Sequence, residues 1–256
     1  MKRNVQIPAL VILLLVATFA TAFVPANATA ADKKENDKAV QTVILKRLTD
    51  DGILTNNNVQ VMVNDSTITL TGTVNTLRDK NKAARTAHEV DKSYVVQNNL
   101  TVTPTKMTNQ QLADDVGNAI RNHIFYSVFN WVTIGADNGK VILRGWVYQP
   151  WYVSQYVDRA EQVPGVQEVV DSIKVLPTSL YDEQVRENGA RAIYNDPMFE
   201  QWANTLNPPI HIIVMNGDVL LEGWVRSQVE KTVAADLIAF HTDAFKIDNQ
   251  LEVRYP

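Results

Sequence analysis

Val141-Ile-Leu-Arg-Gly145-Trp-Val147 decides how the chain is organised, because it is written three times, again as Ile68-Thr-Leu-Thr-Gly72-Thr-Val74 and as Val219-Leu-Leu-Glu-Gly223-Trp-Val225. In each copy an apolar residue, a leucine, a glycine and a valine hold alternate positions, the period of two that puts four side chains on one face of a β-strand. The glycines recur after 73 and 78 residues. A repeat of that length can enclose its own core, whereas solenoid units of about 20 to 50 residues cannot, so three tandem small domains are predicted.

Working outward from each glycine strand gives the same neighbours. In the first repeat a helix from Asp37 to Thr49 carries Val40, Ile44 and Leu48 as one stripe, and residues 29–36 before it read as a disordered leader. Val59–Val63 and Thr67–Val74 form a hairpin across Asn64-Asp-Ser66, then a helix from Thr76 to Asp91 turns Leu77, Ala84, Ala87 and Val90 inward, and Tyr94–Val102 is a third strand. The second repeat opens with the capping box Thr108-Asn-Gln-Gln111 and the stripe Leu112, Val116, Ile120, Ile124. Trp131–Ala136 pairs with Val141–Tyr148 across Asp137-Asn-Gly139, a helix after Pro150 carries Val153, Val157, Ala160 and Val163, and Val166–Leu176 closes the repeat. In the third, Ser179 caps a helix to Asn195, the segment Asp196–Pro209 is inserted, Ile210–Val214 turns at Asn216-Gly217, and a helix capped at Ser227 is striped by Val229, Val233, Leu237 and Phe240 before the strand Phe245–Val253.

The amino terminus reads as a secretory signal over residues 1–28. Lys2 and Arg3 lead an apolar run from Ile7 to Phe23, and Ala26-Asn-Ala28 supplies the small residues of a cleavage site. Export of the remainder to the periplasm is expected, with no transmembrane span after cleavage, since no later stretch is apolar enough to cross a bilayer. There is no cysteine, which excludes disulfides, thiolate metal sites and a cysteine nucleophile. The formal charge of −4 becomes −6 once Lys2 and Arg3 are removed, which disfavours nucleic acid as a partner.

Helix, hairpin, helix, strand, with a glycine inside the second strand and Val-Pro-Gly-Val before the third at Val163–Val166, resembles the BON domain of bacterial envelope proteins. The resemblance covers domains at 37–103, 108–176 and 178–256. It implies an α+β fold, in which each α-β-β-α-β unit lays two helices on one face of a three-stranded mixed sheet. It also implies a non-enzymatic role in envelope maintenance or stress, by attachment to anionic phospholipid or to an envelope protein. Only the second repeat keeps the glycine-valine step, at Gly165-Val166; the others have Ser93-Tyr94 and Ala244-Phe245.

Little in the chain suggests catalysis, a metal or a cofactor. His88, His123, His211 and His241 are scattered, and none has a second histidine at metal-ligand spacing. Asp50-Asp51 and Asp114-Asp115 are adjacent residues, about 100° apart around a helix, so neither pair shares a site. Two surface features stand out. Arg78, Lys80, Lys82 and Arg85 cluster on the second helix of repeat one and make a candidate contact for anionic headgroups. The sheet face away from the core carries Thr69, Thr71, Thr73 and Asn75 in repeat one, Ile142, Arg144, Trp146 and Tyr148 in repeat two, and Leu220, Glu222, Trp224 and Arg226 in repeat three. Tryptophans on an open face imply contact with another repeat or a partner, and Trp151, Tyr152 and Tyr156 extend that aromatic surface next to Tyr148. A chaperone-like module that holds polypeptide through these rings is the alternative to a lipid binder. Gly72, Gly145, Gly165 and Gly223 are expected to be structural, and at Gly72, Gly145 and Gly223 a missing side chain is expected to let a helix cross close to the sheet.

Overall fold

A computed structural model describes residues 30–255, so the expected signal peptide lies outside the described residues. Repeat one comprises α1 (Ala30–Asp50), a short α2 (Ile53–Asn56), β1 (Asn58–Asn64), β2 (Thr67–Val74), α3 (Leu77–Val90) and β3 (Val95–Val102). Repeat two comprises α4 (Asn109–Arg121), β4 (Trp131–Asp137), β5 (Lys140–Val147), α5 (Trp151–Glu161) and β6 (Glu168–Val175). Repeat three comprises α6 (Leu180–Tyr194), α7 (Glu200–Ala203), β7 (Ile210–Met215), β8 (Asp218–Val225), α8 (Gln228–His241) and a divided last strand, β9 (Lys246–Asn249) and β10 (Glu252–Val253). The fold is α+β. In each repeat the glycine strand is central, antiparallel to the strand before it and parallel to the one after the second helix.

Local chemistry sets these elements. Asp65-Ser66, Asn138-Gly139 and Asn216-Gly217 all have positive φ, the two-residue turn whose twist matches paired strands. Thr76, Thr108, Ser179 and Ser227 each accept a helix N–H through the side chain, and Thr108 with Gln111 completes a capping box. Apolar side chains of repeats one and two merge into one core, and those of repeat three form another.

Several expectations are corrected. Ala30–Asn36 are not a disordered leader but the first turns of α1, where Asn36 Nδ2 donates to the Tyr94 hydroxyl at 2.9 Å. In α3 the buried face is Leu77, Ala83 and Ala87, with Ala84 only half-buried. α4 stops at Arg121, so Ile124 leaves the stripe and is 78% exposed, while Tyr126 takes a buried place. Tyr156 is a core residue of α5 rather than surface. In α8 the core face is Ala234 and Ile238, and Val229 and Phe240 are turned to solvent.

The repeated glycine also needs a different reason. Gly72, Gly145 and Gly223 have φ of 115°, 134° and 111°, a region unfavourable to other residues. A Cβ there would strike the backbone carbonyl oxygen of Asn58, Trp131 or Pro209 on the neighbouring strand, not a crossing helix. Gly165 (φ 92°) lies under the linker, where a Cβ would strike the Thr105 side chain. Because the first carbon of any side chain collides with backbone, Gly145→Ala should destabilise as much as Gly145→Val, by about 3 kcal/mol or more. Thermal unfolding of the two variants checks this; an alanine variant that melts with the parent would restore the helix-crossing explanation.

Candidate functional site

Strand register places the outward residues of each sheet in rows. In repeat one they are Asn58, Thr73, Thr101 and Gln60, Thr71, Asn99, all polar. In repeat two one row is Trp131, Trp146, Lys174 and the next is Thr133, Arg144, Ser172. In repeat three His211 faces Glu222, and Trp224 faces Glu252. A cleft of about 430 Å³ lies over the repeat-two rows, with Glu222 of repeat three in its wall. A second, of about 140 Å³, brings Trp146 together with Ile213, Met215 and Leu220 of repeat three. Trp146 therefore stands where the two sheets meet.

Repeats two and three are joined by two sets of contacts. His211, on β7, enters repeat two with its ring centroid 4.9 Å from Trp131 and 5.5 Å from Tyr126, and is 4% exposed. The backbone of Asn130 and Ser127 lies near its ring, and the next residue, Ile212, donates its N–H to the Val128 carbonyl at 2.7 Å. The irregular segment 122–130 thus covers the outer edge of β7, which would otherwise present unpaired backbone groups. Burial pushes His211 down to about 4, because a charged imidazole would lose its hydration; Arg121 acts the same way and the nearby backbone opposes it. The second set surrounds Tyr148. Its hydroxyl donates to Glu183 Oε1 at 3.1 Å, and the buried Arg186 lies over its ring at 5.1 Å. Arg186 in turn donates to Glu183 Oε2 at 3.0 Å and to the Val214 carbonyl at 2.9 Å. Burial and the Glu183 carboxylate hold the Tyr148 hydroxyl above its ordinary range.

The other candidates separate into internal and external contacts. Trp224 is half-buried under the inserted segment, edge-on to Trp202 at 5.8 Å, while Arg226 lies over Trp202 and Arg254 over Trp224. Trp151 is 54% exposed and touches no other repeat among the ring contacts of the described residues; it packs against Tyr152, which stacks on Phe125 at 6.1 Å. With Phe125 45% exposed and Ile124 beside it, these four residues make one apolar, aromatic patch that combines the segment after α4 with the start of α5. Sequence reasoning missed Ile124 and Phe125, since Ile124 fits the helix period. Of the basic cluster, Lys82 is paired with Asp51 at 2.9 Å, and Arg78 and Arg85 act on Glu161 of repeat two, which also accepts from Asn81 at 2.9 Å. Lys82 is therefore engaged within repeat one, while Arg78 and Arg85 stay exposed near Glu161.

Among the described residues no group of histidine and carboxylate side chains is arranged to hold a metal ion, and no helix is long and apolar enough to cross a membrane. Three small sheet-and-helix domains in series, each built on a central glycine strand, define a tandem repeat of one module. The chain belongs to the BON domain family, whose model matches residues 36–104, 108–177 and 200–255. The family is one of non-catalytic, envelope-associated binding domains. The third match begins inside the insertion, at residue 200, and so leaves out α6, yet α6 packs on β7 and α8 in the position α1 and α4 hold in their repeats. No curated protein matches the chain. Solved structures similar to it include CdsD, a structural protein of the type III secretion system of Chlamydia trachomatis, at 13% identity over 83% of this chain and 93% of that one, with a TM-score of 0.24. The C-terminal domain of CdsD is similar at 12% identity over 86% and 96%, with a TM-score of 0.23. Scores this low carry no argument about fold or function.

His211 makes the joint acid-sensitive. Its folded pKa of about 4 lies below the ordinary 6.5, so the unfolded chain binds more protons between those values. Its contribution is constant above about pH 6.5 and falls as pH drops towards 4, by about 3 kcal/mol in total. Glu222 and Glu161, raised mainly by burial, titrate with the opposite sign, so the comparison must be with a variant. Melting temperatures between pH 7.5 and 4.5 should fall less steeply for His211→Gln than for the parent; equal slopes would show that His211 is not the group responsible.

Proposed function

We propose that this chain is a periplasmic envelope protein that attaches to anionic phospholipid surfaces through the exposed patch of repeat two. Ile124, Phe125, Trp151 and Tyr152 support this: large apolar side chains gathered at one place, two of them able to put a polar ring edge at the headgroup level. Arg159 lies near the patch, close enough to act electrostatically on His123, whose ring is 5.3 Å from that of Phe125. A cation beside such a surface adds about 1 kcal/mol, and half-burial of three large apolar side chains adds about 3 kcal/mol, a hundredfold in affinity. The exposed members of the basic cluster, Arg78 and Arg85, supply a weaker, salt-screened attraction. Family membership and the signal-like sequence pattern of residues 1–28 support placement in the envelope.

Flotation with vesicles of phosphatidylcholine, with and without phosphatidylglycerol, tests this. The triple variant Ile124→Ser, Phe125→Ser, Trp151→Ser should lose about a hundredfold in affinity at any salt, while Arg78, Lys80, Lys82 and Arg85 changed together to Gln should lose only a salt-sensitive fraction. Unchanged flotation of the triple variant would remove the patch as the anchor. Loss of binding to unfolded polypeptide, with flotation intact, would favour the chaperone-like alternative.

A further inference from the structure

The outer face of repeat two carries a second surface, remote in composition from the apolar patch. Its register sets two indoles, Trp131 and Trp146, directly opposite each other on neighbouring strands, with Lys174 next in the row. The row beside it is Thr133, Arg144 and Ser172, and Glu222 faces both across the cleft of about 430 Å³. A row of rings thus adjoins a row of hydrogen-bonding groups. The equivalent face of repeat one has no ring, and in repeat three Trp224 is already covered by Trp202. This arrangement is found only in repeat two among the three described faces.

We propose that this cleft binds an oligosaccharide, a segment of a β-1,4-linked envelope glycan. A pyranose ring has the same two-sided character as the face. Its axial C–H groups form an apolar surface suited to the electron-rich face of an indole, and its equatorial hydroxyls point outward in the ring plane. A sugar stacked on Trp146 presents those hydroxyls to Thr133, Arg144 and Ser172. Trp131, already packed against His211 at 4.9 Å, lines the cleft beside it, so Trp146 supplies the stacking face. Hydroxyls both donate and accept, and the cleft offers both: donors on Arg144 and Lys174, an acceptor on Glu222, and two hydroxyl side chains. Its two cations are partly balanced by Glu222. The size and the position between two domains are those of small-ligand clefts.

The experiment uses the chain from residue 29, titrated with the β-1,4-linked tetrasaccharide of N-acetylglucosamine while tryptophan emission and heat are recorded, and cosedimented with purified cell-wall sacculi. Saturable binding with a shift in emission is expected, together with retention on sacculi. Trp146→Ala should weaken tetrasaccharide binding at least tenfold and Trp146→Phe should recover most of it. Because Trp146 also packs towards repeat three, the double variant Arg144→Ala, Ser172→Ala, at two exposed positions, provides a test independent of folding and should weaken binding several-fold. The triple variant of the apolar patch should bind saccharide as the parent does. Absence of binding to both tetrasaccharide and sacculi overturns the proposal, as does undiminished binding by the Trp146→Ala and double variants. Such a failure leaves the membrane proposal standing, since the two surfaces share no residue.

Discussion

A side-chain oxygen on each repeat's first helix takes the backbone N–H of the hairpin turn, and this contact locks helix and sheet together. Asp37 Oδ2 accepts from Asp65 at 3.1 Å, Asn109 Oδ1 from Asn138 at 3.0 Å, and the buried Asp182 from both Asn216 and Gly217 at 3.0 and 2.7 Å. Turn N–H groups pressed against a helix are shielded from water, and a carboxylate or amide replaces the hydration they lose. At the opposite end of the hairpin the glycine admits the neighbouring carbonyl. With both ends fixed, the strands cannot slip by a residue, which would turn the leucine and valine of the repeated motif to the wrong face.

A second fastening ties the last strand to the second helix. Asn98 and Asn249 each accept the N–H two residues on and donate to a helix carbonyl, that of Lys80 or Lys231. Asp171 of repeat two keeps the first bond, to Ile173 at 2.8 Å, but a carboxylate has no N–H for the second. There α5 begins at Pro150 without a side-chain cap, and its aromatic start is left at the surface, where Trp151 and Tyr152 join Phe125. The repeat with the least tightly fastened second helix is the one that offers external surfaces.

Charge and burial give the three domains different duties. Repeat one holds 8 basic and 7 acidic side chains between 37 and 103, repeat three 6 and 12 between 178 and 256. Repeat one is tied to repeat two by a shared core and by Asn81 and Glu161. Repeat three instead plugs its His211 and Arg186 into aromatic sockets of repeat two, burying polar groups whose Nδ1 and Nε find no partner among the described residues. Such a joint is specific in geometry and limited in strength, because each unpartnered buried atom costs part of what the ring contacts contribute.

Strands, hairpins, caps and the threefold repeat were determined by the sequence itself, because they rest on contacts between residues a few positions apart: a period of two, an Asn-Gly turn, a serine three residues before the N–H it caps. The resemblance to the BON family rested on the same local signals. What the sequence could not decide was which of two neighbouring stripes a helix buries. In α8, Val233 and Leu237 form one stripe and Ala234 and Ile238 another about 100° away, and only the sheet beneath, with room for Ala234, selects the second. Ile124 kept the helix period but fell past the helix end, where segment 122–130 leaves to cover β7. His211, Arg186 and the facing Asx residues were invisible for the same reason: their partners lie far away in sequence, and a buried polar group is defined by what closes over it. The three-dimensional packing of repeat on repeat therefore decided which tryptophans are internal and which surfaces stay exposed, since that depends on contacts no local period encodes.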